Sequence, residues 1–202
     1  MSTRILLSFG AVILMYSCGG STLSHTVDKK RLKDMSREGQ VWIYDAENEI
    51  VVAHDRLDEA QDELRKLERK YDVSEKGMNA AKNLKHPLAV EVAQAWQDHL
   101  KSMGIWAEAK IELCKLGVIV ARATVELAEA QVVQKEDLLG GKDFSIKTFR
   151  DQYVKLKDNF ELMKKQVEKL RQIARDNEMK WRMLRRRYTK ATGDHNSGLW
   201  TK

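Results

Sequence analysis

The fold is decided by residues 149–188, which read FRDQYVKLKDNFELMKKQVEKLRQIARDNEMKWRMLRRRY. Apolar residues recur along this stretch at alternating steps of four and three, interrupted by one polar residue, Asn177. The apolar members are Phe149, Tyr153, Leu156, Phe160, Met163, Val167, Leu170, Ala174, Trp181, Leu184 and Tyr188. This repeat is typical of an α-helix that lies along partner helices. A long helix with one narrow apolar stripe is not stable alone, so the stretch predicts a helical bundle.

Two further segments, residues 28–72 and 87–139, carry the same repeat. In the first, every step from Ile43 to Tyr71 is three or four residues. In the second, a similar series is flanked by additional aliphatic residues, and this broad apolar surface indicates a helix that packs on two neighbours. Cys114 belongs to that series, so we interpret it as a small buried hydrophobic residue and not as a nucleophile or ligand.

Glycine and proline divide these segments. Pro87 suits the first turn of a helix, so residues 73–86 are predicted to be a connection with one or two helical turns; a helix that runs from Ser74 through a proline kink is the alternative. Gly140 and Gly141 indicate a helix end, and Asp143 or Ser145 can cap a last helix over 143–190. Short links make neighbouring helices antiparallel. We therefore predict an all-α protein: an elongated up-down-up three-helix antiparallel coiled-coil bundle over 28–190.

Charge is distributed unevenly among the three segments. Residues 28–72 contain 10 Lys/Arg and 13 Asp/Glu, residues 87–139 contain 5 and 8, and residues 143–190 contain 15 and 7. Acidic helices attract a basic helix along the flanks of a coiled coil, so the favoured interpretation is ion pairing inside the bundle. The alternative is an external polyanionic partner for the third helix.

The amino terminus has the features of a secretion signal. Arg4 precedes an apolar run of about twelve residues, which is too short to span a bilayer ~30 Å thick. The run ends at Met15, Tyr16, Ser17 and Cys18, and this ending resembles a bacterial lipoprotein signal, although Tyr16 is bulkier than is usual there. The resemblance implies a signal peptide over 1–17, with cleavage before Cys18, diacylglycerol on its sulfur and a fatty acyl group such as palmitate on the new amino terminus.

The residues after the cysteine indicate where the anchored chain resides. In lipoproteins an aspartate at the following position favours retention in the inner membrane, and Gly19 stands there. The expected location is therefore the outer membrane, with the protein facing the periplasm. Small and polar residues up to position 27 predict a flexible tether over 18–27.

The end of the third segment is basic and aromatic. Its cations are Arg182, Arg185, Arg186, Arg187 and Lys190, interleaved with Trp181 and Tyr188. Cations at a helix C-terminus stabilise the helix dipole, which is the favoured explanation; the alternative is that the patch binds an anionic polymer or membrane surface.

Residues 191–202 are expected to form a flexible tail that ends in Lys202. A lipidated cysteine and a terminal lysine at the two ends of a coiled coil resemble the much shorter murein lipoprotein. In that family the terminal lysine is joined to peptidoglycan, so the resemblance implies wall attachment at Lys202.

The sequence contains no recognisable catalytic or metal-binding pattern. Its five histidines lack metal-ligand spacing, and it has neither a Gly-rich phosphate loop nor a CxxC pair, so we expect no enzyme activity, metal or cofactor. The favoured function is a lipid-anchored envelope scaffold, spacer or partner-docking element. A binding module for an anionic wall polymer or membrane surface is the alternative, and a cytoplasmic coiled coil is a third hypothesis. The expected partners are the membrane and an envelope protein or wall polymer, not nucleic acid; self-association stays open.

Overall fold

The computed structural model describes residues 23–138, 144–195 and 199–200. One turn of 3₁₀ helix, Lys29–Leu32, precedes three long helices: α1 (Arg37–Asn83), α2 (Pro87–Lys135) and α3 (Ile146–Thr192). No β-strand occurs in these described ranges, so the all-α three-helix prediction is confirmed. Each long helix has 47 or 49 residues and is therefore ~70 Å long at about 1.5 Å per residue.

Consecutive helices run in opposite directions. On the α1–α2 side, Lys110 pairs with Glu63 and Lys135 pairs with Glu38, so a forward step along α2 corresponds to a backward step along α1. On the α2–α3 side, His99 lies against Ala174, whereas Gly117 lies against Phe160. The helices therefore run up, down and up.

The second helix is the centre of the molecule. It packs on both α1 and α3, whereas α1 and α3 do not approach each other closely anywhere along their described lengths. Small residues explain the close packing, because alanines such as Ala107 and Ala123 are almost fully buried on α2. At Gly117 a Cβ atom would lie 3.3 Å from Cε2 of Phe160, so the lack of a side chain permits close contact with α3.

The first helix differs from its predicted bounds at both ends. It begins at Arg37 and not at residue 28, because the Ser36 hydroxyl accepts the Gly39 N–H and caps the helix there. At the other end it continues through Ser74, which is buried, to Asn83. The prediction of a connection over 73–86 is therefore wrong for most of its length. Only residues 84–86 link the helices, and the turn contains Lys85 with φ 50°.

The link between α2 and α3 begins earlier than the glycine pair. Lys135 is the last residue of α2, because Asp137 adopts φ 52° and cannot continue the helix. The Leu138 N–H then bonds to the Val133 carbonyl at 3.0 Å, which closes the helix end in a Schellman arrangement. Gly140, Gly141 and Asp143 lie outside the described residues. The third helix starts after Ser145 and extends two residues beyond the predicted end at 190.

The expected ion pairing between α3 and its neighbours is not found. Two ion pairs connect α1 to α2, Glu63–Lys110 at 2.6 Å and Glu38–Lys135 at 2.8 Å. The ion pairs of α3 join residues within that helix, and none within 4.0 Å joins it to another helix among the described residues. The Cα atoms of α1 and α3 stay more than 8 Å apart, and no ion pair in the described residues joins the most acidic helix to the basic one.

Candidate functional site: a basic groove at the end of α3

The end of α3 forms a basic groove with an open volume of about 680 Å³. Its lining consists of Trp181, Arg182, Arg185, Arg186, Thr189, Lys190 and His195. Steps of three and four residues place these helical positions on one side of α3. Of the five predicted cations, four line the groove, whereas Arg187 does not.

The guanidinium of Arg185 stacks on two aromatic rings in this groove. Its central carbon lies 5.6 Å from the ring centre of Trp181 and 4.8 Å from that of Trp200. Such cation–π contacts are worth about 0.5–2 kcal/mol each and fix the orientation of the side chain. Arg185 is therefore held in one position, with part of its charge directed into the groove.

The end of the chain contributes to this arrangement, so the prediction of a flexible tail over 191–202 is wrong for Leu199 and Trp200. Leu199 is fully buried in the cluster that contains Ala81, Ala89 and Tyr188. The neighbouring Trp200 meets the ring of Tyr188 edge-on at 6.0 Å. An apolar pair in an otherwise polar tail was the only signal in the sequence that could have indicated this docking.

Trp181, which lines the groove, packs against two further aromatic rings. Trp96 lies 4.5 Å from Trp181, and His99 stacks parallel to Trp181 with ring centres 6.3 Å apart. Burial lowers the pKa of His99, although its hydrogen bond with the Ala174 carbonyl, 3.1 Å away, opposes that effect. A neutral imidazole that donates from Nδ1 to the Ala174 carbonyl is compatible with this buried position. His99 therefore contributes to packing and does not add a charge to the groove.

Acidic groups reduce the charge of the groove only in part. Arg182 donates to Glu178 at 2.6 Å, an exposed pair that contributes little stability. Arg186 and Lys190 are exposed to solvent. The groove therefore presents cationic donors beside an aromatic surface, a combination suited to phosphate or carboxylate groups on a larger polymer.

The opposite end of the molecule is covered by the N-terminal segment, residues 24–36. Val27 and Leu32 are buried there in a cluster with Ile43, Val133 and Phe149. Polar contacts extend to α3, where the side-chain amide of Gln152 accepts from the His25 N–H at 2.9 Å and donates to its carbonyl at 3.0 Å. The tether predicted over 18–27 is therefore wrong for residues 24–27, which are bound to the bundle.

Three glutamates hold this segment, two in α2 and one directly after its last residue. Glu126 accepts from the Val27 N–H at 2.6 Å, Glu129 pairs with Lys29, and Glu136 accepts from the Ser36 N–H and hydroxyl at 2.7 and 2.6 Å. These acidic residues were visible in the sequence, but nothing there indicated which backbone groups they would bind.

Two of these carboxyl groups have shifted pKa values of opposite sign. Burial raises the pKa of Glu129, whose side chain is 2% exposed, and the hydrogen bond from Lys29 offsets part of that effect. The hydrogen bonds from Ser36 lower the pKa of Glu136. At neutral pH the charged form of Glu129 therefore depends on Lys29 for its stabilisation, whereas the charged form of Glu136 is stabilised by its hydrogen bonds from Ser36.

The remaining predicted sites are located as follows. Cys18 and Lys202, the predicted lipidation and wall-attachment residues, lie outside the described residues. Cys114 is partly buried, and burial raises the pKa of its thiol, so it stays protonated as expected for a packing residue. In the described part of the chain, no cluster of three or more His, Cys, Asp or Glu residues could hold a metal ion.

The chain matches no protein-family model, no curated protein and no solved structure. None of the helices described by the structure combines the length and hydrophobicity needed to cross a membrane.

Proposed function

We propose that this chain is a lipid-anchored cell-envelope protein that serves as a scaffold, spacer or partner-docking element. In this proposal Cys18 carries the lipid, and the bundle holds the basic groove away from the membrane. The expected location is the outer membrane, facing the periplasm.

The separation of the two ends of the bundle carries the proposal. The N-terminal segment follows Cys18 closely in the chain and packs around Phe149, at the start of α3. The basic groove surrounds Trp181 to Lys190, at the end of the same helix. From Phe149 to Tyr188 the helix rises ~58 Å at about 1.5 Å per residue. A lipid on Cys18 would thus hold the N-terminal end of the bundle at the membrane and place the basic groove ~58 Å from that end, at about 1.5 Å per residue.

Cell fractionation tests the anchor. The full chain is expected to sediment with outer membranes, and Cys18→Ser is expected to release it into the soluble periplasmic fraction. Cys114→Ser is the matched control and should leave the protein in the membrane fraction. A Cys18→Ser protein that still sediments with membranes contradicts lipid anchoring, and a wild-type protein found in the cytoplasm supports the cytoplasmic hypothesis instead.

The basic groove favours a second candidate function, the binding of an anionic cell-wall polymer at the far end of the rod. Three of its cations, Arg182, Arg186 and Lys190, are exposed around an aromatic surface. Salt screens such exposed charges, so binding should weaken as ionic strength rises. The wall polymer is favoured over the membrane surface because the proposed anchor lies at the opposite end.

Co-sedimentation of the full chain with purified cell walls tests this candidate. The triple variant Arg182→Gln, Arg186→Gln and Lys190→Gln is expected to lose most of the binding. A control variant that removes three exposed cations earlier in α3, Lys165→Gln, Lys169→Gln and Arg175→Gln, has the same net charge as the first triple variant and should bind like the wild type. Equal losses in the two triple variants would attribute the binding to net charge and reject the groove as its site.

A further inference from the structure

An apolar surface on the first part of α1 has no partner in the bundle. Val41, Tyr44, Val51 and Val52 are 54%, 62%, 59% and 47% exposed. Their helical positions are roughly opposite the buried stripe of Ile43 and Ala46 that faces α2. We call these four residues the outer face of α1. Large apolar side chains grouped on one exposed face, and not scattered singly, indicate an interaction surface.

The outer face of α1 is surrounded by negative charge. Residues 37–63 contain 9 Asp/Glu and 2 Lys/Arg, which gives a net charge of −7. Asp45, Glu47 and Glu49 are exposed beside the apolar residues. Next to Val41, a shallow depression of about 490 Å³ is lined by Arg37, Glu38, Trp42 and Asp45. The surface therefore suits a partner helix that is apolar and basic.

The third helix has the complementary composition. It contains 15 Lys/Arg and 6 Asp/Glu, a net charge of +9, and no ion pair in the described residues joins it to another helix. It also exposes large apolar side chains along its length; these are Val154, Leu162, Ile173, Met179 and Met183. The basic charge and these apolar side chains are both left open by the bundle.

The positions of the outer face of α1 and of α3 along the bundle axis determine which residues of two neighbouring copies can face each other. Ile43 of α1 and Phe149 of α3 belong to one cluster, so residues 41–52 of α1 lie at the same height as about 147–158 of α3. The two helices run in the same direction, and their Cα atoms stay more than 8 Å apart. A second copy beside the first, pointing the same way, therefore brings Val154 opposite Asn48, at the centre of the outer face.

We propose that the outer face of α1 binds α3 of a second copy of this chain, with the two helices parallel. Only the parallel direction rests on the proposed function, because copies anchored in one membrane at the same end must point the same way. The contact joins different surfaces of the two copies, so it can repeat and produce a row of rods. Contact between two α1 helices is disfavoured, because both are acidic and like charges repel.

Cysteine crosslinking of the full chain in membranes tests the pairing and its direction. In a Cys114→Ser background, the pair Asn48→Cys with Val154→Cys is expected to form crosslinked dimers and higher multimers. Crosslinking within one chain is excluded by the separation of α1 from α3. Asn48→Cys with Met183→Cys should not crosslink, and its preferential crosslinking would overturn the parallel arrangement. Efficient dimers of Asn48→Cys alone would show an α1–α1 contact instead and overturn the proposal.

Sedimentation velocity of the detergent-solubilised chain tests charge complementarity without relying on the membrane. Asp45→Lys with Glu49→Lys, or Arg150→Glu with Lys155→Glu, should raise the dissociation constant at least about tenfold. The four changes in one chain should restore association. The control Glu68→Lys with Glu75→Lys has the same charge change as the first variant and should bind normally. A wild-type chain that stays monomeric at low salt and high concentration would overturn the inference, whether or not Cys18 is lipidated.

Discussion

Two glycines in helices should respond in opposite ways to replacement by alanine. Gly39 lies in the first turn of α1 and is buried against the end of α2. A Cβ atom there would lie 2.7 Å from Glu136 Oε1 and 2.9 Å from Val132 Cγ1. At Gly104, in the middle of α2, a Cβ atom would meet no other atom within 4 Å.

The magnitudes follow from these distances. Within a helix, alanine is more favourable than glycine by about 0.5–1 kcal/mol, so Gly104→Ala should increase the free energy of unfolding by that amount. At Gly39 the same gain is opposed by overpacking, which costs about 1–3 kcal/mol. Glu136 would have to move away from its two hydrogen bonds to Ser36. We expect a net loss of about 1–2 kcal/mol for Gly39→Ala.

Thermal and urea unfolding followed by circular dichroism measure both changes. One kcal/mol corresponds to a Tm shift of about 2–4 °C in a protein of this size. Gly39→Ala should also increase hydrogen exchange in residues 29–36, since the contact that holds Ser36 is displaced. A Gly39→Ala protein at least as stable as Gly104→Ala would refute the close approach of α1 to Glu136.

Three further predictions concern the ends and the middle of the bundle. Lys29→Ala should destabilise the protein by about 1–2 kcal/mol at pH 7.5, because it leaves the buried Glu129 carboxylate without its cation. This loss is smaller than for a fully buried ion pair, because the Lys29 side chain is exposed. Burial raises the pKa of Glu129, so acidification neutralises this carboxylate in the folded protein. The loss of stability caused by Lys29→Ala, measured by urea unfolding, should therefore shrink as the pH falls, and a loss that grows on acidification contradicts this role of Glu129. Leu199→Ala removes a fully buried side chain and should cost about 2 kcal/mol in urea unfolding, whereas no change would mean that residues 199–200 do not dock. Ala107→Leu should cost about 1–3 kcal/mol by overpacking the contact with α1 near Leu67, and a neutral effect in thermal unfolding would show that α1 and α2 are less close.

The helices were predictable because their apolar period does not depend on the rest of the structure. From Phe149 to Tyr188 one stripe alone indicates a helix and the face that it buries. The helix ends were less predictable, because they depend on local hydrogen bonds. Ser36 caps α1, and Asp137 ends α2 with a left-handed backbone that glycine usually adopts. Neither residue type dictates this behaviour, so residues 28–36 and 136–138 were assigned wrongly.

The arrangement of the helices was also only partly predictable. Heptads show that each helix has a partner, but they do not show that α1 and α3 stay apart on either side of α2. The predicted neutralisation of α3 failed for that reason. At the candidate site, the basic residues after Trp181 were visible in the sequence, whereas the stacking of Arg185 between Trp181 and Trp200 depends on the tail folding back.

The mass of the amino-terminal peptide of the protein, isolated from the cells that produce it, tests the proposed function most directly. The mature chain is expected to begin at Cys18 and to carry diacylglycerol on the sulfur and an acyl group on the amino terminus. A chain that retains residues 1–17, or one that begins at an unmodified Cys18, would contradict it.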